Sequence, residues 1–212
     1  MAEGSDASAR HLDALLDKAA TRELAEGLLG LAPTARIRWL RKAVGEGASS
    51  VLAAPLVRTL MEQARLREEK EPGSGADFVA DAARYGLFGY IAMRSRAPLC
   101  SDVTSPDEYL HELGVVLAPL LGRLAALDRA SRRRIVDEAL ALDDQIRPFA
   151  SRDTLLCRRG QFGDRFCPSG TSPEDCPDNA APFAEFITSS ELIEPRLRAR
   201  SRARGEVLAL GR

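Results

Sequence analysis

Leu, Ile, Val and Ala recur at intervals of three and four residues along this chain to about residue 150. That spacing gathers apolar side chains on one side of an α-helix. Leu12, Leu15, Leu16 and Ala19 set the first stripe, and Leu24 and Leu28 resume it after a break near Thr21. Pro33 suits the first turn of the next helix, where its missing N–H costs nothing. Ile37, Leu40 and Val44 make that helix's inner stripe, and GEGASS, 45–50, ends it.

A helix over 50–69 turns Leu56, Val57, Leu60, Met61 and Ala64 inward and finishes in the solvated run RLREEK. EPGSG then reads as a linker, a boundary within the helical region at 70–75. Ser74 is placed to cap the following helix, with Asp77 three residues on. Residues 76–94 are apolar almost all round in their second half, as in a central buried helix. Gly86 and Gly89 leave room there for a close neighbour. SPDE, 105–108, supplies a capping Ser105, Pro106 at the first helical position and Glu108 at the third. The helix it opens carries Leu110, Leu113, Leu117, Leu120, Leu121 and Leu124, with Pro119 expected to kink or interrupt it. A further helix over 129–147 faces Ile135, Ala139, Leu142 and Ile146 inward, and Pro148 stops it.

No stretch alternates with β-branched enrichment. The expected fold is all-α, a bundle or orthogonal array of about six or seven helices. The helical domain covers 1–150, an irregular Cys-containing segment 151–190, and an Arg-rich tail 191–212. One internal echo stands out: LAPTARIRWLRKAV (31–44) resembles LDRASRRRIVDEAL (127–140), each a short turn before an Arg-starting helix. Two helices obeying the same packing rules account for it more simply than duplication.

Composition narrows the function classes. With 212 residues the chain is long enough for a core without staples. The aromatic content of 5% means Leu, Ala and Val must fill that core. A net charge of −1 argues against wholesale nucleic-acid binding. Only three of the 30 basic residues are lysines, Lys18, Lys42 and Lys70. Such a bias reads more simply as codon composition than as selection for bidentate anion binding. The N-terminus shows no basic start with an apolar run behind it, and the greasiest stretch, GLFGYIAM (86–93), is far short of the ~20 residues a span needs. A cytoplasmic protein without a membrane span is the expectation.

The candidate chemistry is sparse. Cys157, Cys167 and Cys176 cluster among glycines, prolines and acids, with Cys100 upstream. Structural zinc usually shows a tight C-x2–4-C pair, which is missing. The four cysteines nevertheless form the one candidate metal set, zinc being the ion it suits. Disulfides compete with that reading, and reduced thiols packed as small apolar groups are preferred to both. Arg132, Arg133 and Arg134 open a helix, as Arg36 and Arg38 do, where cations oppose the macrodipole. Arginines beside free N–H groups suit a phosphate or carboxylate. The competing reading is a solvated face with Arg133–Asp137 and Arg134–Glu138 pairs. In the tail, Arg196, Arg198, Arg200, Arg202 and Arg204 alternate. A strand would put all five on one side, while a helix aligns Arg196, Arg200 and Arg204. They suit nucleic-acid phosphates, or a clasp with the acidic stretch 171–185.

His11 and His111 read as helix-surface residues. Asp143–Asp144 and Asp137–Glu138 are consecutive and so point to different helix sides. No phosphate loop, H-E-x-x-H or G-x-S-x-G is present. The preferred reading is non-enzymatic: an interaction or adaptor subunit that docks on a protein partner or self-associates, through the Leu-rich helices 50–69 and 106–127. The alternatives are a nucleic-acid-binding regulator using the Arg clusters, and a metal- or thiol-dependent enzyme centred on the Cys segment.

Overall fold

A computed structural model describes residues 3–17, 21–100, 104–145, 153, 155–157 and 193–212. Among them the protein is helical without a strand: α1 (Glu3–Asp17), α2 (Thr21–Gly30), α3 (Pro33–Gly45), α4 (Ala53–Glu68), α5 (Ala76–Arg96), α6 (Thr104–Ala126), α7 (Arg129–Gln145) and α8 (Ile193–Leu210). Short 3-10 turns at Ser50–Leu52 and Ala97–Leu99 precede α4 and follow α5. The all-α expectation is met.

α5 is the axle. It packs against α4, α6, α7 and α8. Its second half is buried on nearly every side, including Phe88, Ile91 and Met93. One contiguous apolar core takes Leu40 and Val44 from α3, Leu56 and Leu60 from α4, Leu113 and Leu120 from α6, and Ile135 and Ala139 from α7. With few aromatics to fill space, the helices must approach closely. Gly86 and Gly89 permit this: a Cβ on Gly89 would collide with the Ala53 Cβ, and one on Gly86 with the Leu117 side chain. In an exposed helix Gly→Ala gains about 1 kcal/mol of propensity. Here Gly89→Ala is expected to lose about 1–3 kcal/mol by overpacking, read from the midpoint of urea unfolding.

Several boundaries depart from the sequence reading. Ser74 does not cap α5: its hydroxyl donates to the carbonyls of Arg67 (3.0 Å) and Glu71 (2.7 Å), and Gly75 stands at the cap. Glu68 holds the turn instead, accepting from the N–H of Gly73 (2.9 Å) and Gly75 (3.2 Å). α6 begins at Thr104, and Ser105 is buried with its hydroxyl donating to the Leu156 carbonyl at 2.7 Å. Pro119 does not interrupt α6, which runs on to Ala126. Helix continuation past a proline is feasible where packing outweighs the one lost hydrogen bond. Ile146 and Pro148 lie outside the described residues.

The echo between 31–44 and 127–140 has a structural counterpart. At each turn a leucine N–H returns to the carbonyl three residues back, Leu31 to Leu28 and Leu127 to Leu124, both at 3.2 Å. Arg36 then donates to the Leu29 carbonyl (2.9 Å) and Arg132 to the Ala125 carbonyl (3.2 Å), each seven residues back. Each arginine opposes the dipole of its own helix but satisfies the carbonyl end of the helix before, where a cation is stabilising. That is why arginine sits in two first turns.

Candidate functional site

Three places bring polar chemistry together. The first is buried. Asp153 is fully enclosed and accepts from the Ser49 hydroxyl (2.6 Å), the Ser50 N–H (2.7 Å), the Ser50 hydroxyl and Arg96 Nη1 (2.9 Å). Arg96 Nη2 also donates to the Gly47 carbonyl at 3.1 Å. Ser49, Ser50 and Arg96 are themselves buried. Beside this cluster Cys100 and Cys157 form a disulfide. These bonds tie the short segment around 153–157 to the α3–α4 junction and the end of α5. With its acceptors occupied and no solvent access, the cluster is a fastening rather than a reactive centre.

The disulfide revises the cysteine reading. Cys100 and Cys157 are bonded to each other, so their sulfurs are neither reduced thiols nor free thiolates for zinc. Cys167 and Cys176 lie outside the described residues. Among the described residues no three His, Cys, Asp or Glu side chains gather as a metal set.

The second place is where α8 meets α7. The Arg-rich tail is a helix, and its i, i+4 row turns inward. Arg200 donates from Nε to Asp143 Oδ2 at 2.9 Å and from Nη2 to the Asp143 carbonyl at 3.1 Å. Arg204 reaches Asp143 and, at 2.8 Å, Asp144. Burial lowers the Arg204 pKa, but the hydrogen bonds it donates to Asp144 and Asp143, with their negative charges, outweigh that and hold the group above the usual arginine value. Arg196 is buried, and burial, then the nearby Arg96 and Arg200 charges, pull its pKa down. Arg198 pairs with Glu194 at 2.6 Å on the surface, and Arg202 is exposed.

The five arginines therefore do not form one phosphate-facing row, because three are turned into the fold. Asp143 and Asp144, though consecutive, do converge, since two long guanidinium arms reach over the edge between their helix sides. The 171–185 stretch lies outside the described residues. Arg132, Arg133 and Arg134 also part company. Arg132 caps α6, Arg133 faces Asp137 at 3.7 Å, and Arg134 is exposed, while Glu138 instead faces Arg84 at 3.6 Å. His11 and His111 are both exposed on helices.

The third place is open. A groove of about 1130 Å³ lies between the α4–α5 hairpin and the α6–α7 hairpin. Val57, Met61, Val79, Val116, Pro119 and Leu120 give it an apolar lining. Met61 is half-buried, packed against the edge of the core and also facing this groove. The Arg58–Glu112 pair at 2.9 Å links α4 to α6. On the α4 rim, Glu62 is held below the usual carboxylate range by its hydrogen bond to Arg65. Glu68 is held low by the Gly73 and Gly75 N–H groups, against a small opposing effect of burial and with help from Arg123. On the opposite rim Arg123 and Arg134 are exposed and make no hydrogen bond or salt bridge among the described residues. The helical stripe read from the sequence gave Met61 no distinction from core residues, since periodicity does not say which apolar side meets a neighbour and which a gap. No protein-family model, no curated protein and no solved structure matches this chain.

Proposed function

We propose that this protein is a non-enzymatic interaction subunit that receives an apolar, acid-flanked helix of a protein partner in the groove between α4 and α6. The supporting observation is the groove itself. It has an apolar floor walled by four helices and two exposed cations, Arg123 and Arg134, along one rim. An α-helix with its side chains is roughly 10–12 Å across, and helix-in-groove recognition reads apolar anchors at i, i+3/i+4 and i+7. Arg123 and Arg134 would select a partner with Glu or Asp beside those anchors. The nucleic-acid alternative has less to draw on, since Arg196, Arg200 and Arg204 are turned into the fold. The Cys100–Cys157 disulfide favours an oxidising setting over the cytoplasm expected from the sequence.

Two synthetic helical peptides with the same leucine stripe, one flanked by Glu and one by Lys, test this reading by fluorescence anisotropy. The Glu peptide is expected to bind more tightly. Reversing Arg123 and Arg134 to Glu is expected to invert the preference, and Ala80→Trp, which fills the groove, to abolish binding of both. Equal binding of the two peptides, indifferent to Ala80→Trp, would sink the proposal.

A further inference from the structure

α5 runs against both α4 and α6. A Cβ on Gly89 would meet Ala53 of α4 and Leu113 of α6, and one on Gly86 would meet Val57 and Leu117. These contacts advance together along α4 and α6 while they retreat along α5, so α4 and α6 are parallel. Nearer its start α5 offers the groove only Ala76, Val79, Ala80 and Ala83, apart from Asp77, and the gap between the two walls stays open above them. The Arg58–Glu112 pair ties the walls at one end, and at the other Arg123 acts on the Glu68 carboxylate across the gap. From Arg58 to Glu69 the α4 wall is roughly 16 Å long, enough for helix anchors at i and i+7, which stand ~10 Å apart.

The two walls differ in sign. With Arg58 engaged by Glu112, the carboxylates of Glu62, Glu68 and Glu69 against Arg65 leave the α4 wall a net −2. Arg123 and Arg134 give the α6–α7 wall +2, with no acid among the described residues lining it. Handedness adds direction. At about 100° per residue, the groove residues Met61, Arg65 and Glu68 lie clockwise of Leu56, Leu60 and Ala64, seen along α4 from its N-terminus. Val116, Pro119 and Arg123 lie counter-clockwise of Leu113, Leu117 and Leu120 on α6. In that view, with α5 above, α4 stands left of the groove and α6 right. Taking the groove as the helix receptor described above, we propose that its partner helix carries acid on one flank and base on the other, and that the choice of acidic flank sets the direction in which it binds. In heptad terms, a helix with apolar a and d positions toward α5 turns its e positions to α6 when parallel to α4, and to α4 when antiparallel. The g positions take the opposite wall. Glu at e with Lys at g therefore meets both walls correctly only in the parallel direction, and the exchanged pattern only in the antiparallel one. Glu62 and Glu69 already bind Arg65, and Glu68 the Gly73 and Gly75 N–H groups. The α4 wall thus pulls less strongly than the α6–α7 wall, and a helix acidic on both flanks still ranks above one basic on both.

Three helical peptides with one leucine stripe test it on the full chain: Glu at e with Lys at g, the exchanged pattern, and Glu on both flanks. By fluorescence anisotropy each mixed peptide is expected to bind roughly three- to tenfold more tightly than the all-Glu peptide, the effect of a few exposed ion pairs. A nitroxide on the peptide N-terminus should broaden the amide NMR signal of Arg58 for the Glu-at-e peptide and that of Gly73 for the exchanged one. Glu62→Lys/Glu69→Lys, both at exposed positions, should make the all-Glu peptide the tightest of the three with helicity unchanged. Mixed peptides no tighter than the all-Glu peptide, or both mixed peptides broadening the same end, would overturn the proposal. If Ala80→Trp still abolishes all binding in that case, the groove stands and only its polarity fails. No binding at all, or binding indifferent to Ala80→Trp, defeats both.

Discussion

Asp153→Ala is expected to destabilise the protein by about 3–5 kcal/mol, the usual consequence of removing one member of a buried ion pair. Arg96 and Asp153 are almost wholly enclosed, at 3% and 0% side-chain exposure. The substitution takes the carboxylate from Arg96 and also from the Ser49 hydroxyl and the Ser50 N–H. Water has no ready access to replace it, so these groups bear the cost of staying desolvated. Asp153→Asn is the informative companion. It keeps an acceptor for Ser50 but removes the charge, and should fall between wild type and alanine. Urea unfolding followed by circular dichroism measures both. A loss below about 1 kcal/mol for Asp153→Ala, the scale of an exposed pair, would show that the cluster is wet.

Reducing the Cys100–Cys157 bond is expected to lower stability by about 2–4 kcal/mol. The two residues are 57 apart in sequence, so the bridge removes a long loop from the unfolded ensemble. The chain-entropy relation puts that near 4 kcal/mol at 25 °C, and relaxation of the native state usually takes some of it back. Urea unfolding with and without reductant, repeated on Cys100→Ser/Cys157→Ser, gives the value. Identical midpoints in all three would refute it. Because the disulfide and Asp153 hold the same short segment, their effects should not add: once one is lost, removing the other should cost less.

Much of the helical core was legible because burial on one side leaves a 3.6-residue signature. Ile37, Leu40 and Val44, or Leu113, Leu117 and Leu120, need no structure to identify. The close approach at Gly86 and Gly89 was legible for the same reason, as small residues in an otherwise greasy helix. Capping was less so. SPDE has the composition of a helix start, yet Ser105 serves Leu156, because a partner 51 residues away outcompetes a local N–H. Asp153 was invisible. A single aspartate in a polar stretch carries no periodicity, and its four donors come from residues 57 to 104 positions distant. The arginine tail was half legible: the helical alternative correctly aligned Arg196, Arg200 and Arg204, but charge alone does not say whether phosphate or aspartate receives them. The groove was not legible, because a gap between helices is a property of their packing and not of any one stripe.

The Asp153 fastening also bears on how the protein is made. Ser49 and Ser50 emerge from the ribosome about a hundred residues before the carboxylate that they bind. At a synthesis rate of roughly 5–20 residues per second, that is a delay of several seconds. α5 is complete only at Arg96, and from there until residue 153 is made the junction of α3, α4 and α5 lacks the group that closes it. Completion is thus timed by translation, and a nascent chain halted before residue 153 exposes a corner that the finished protein seals.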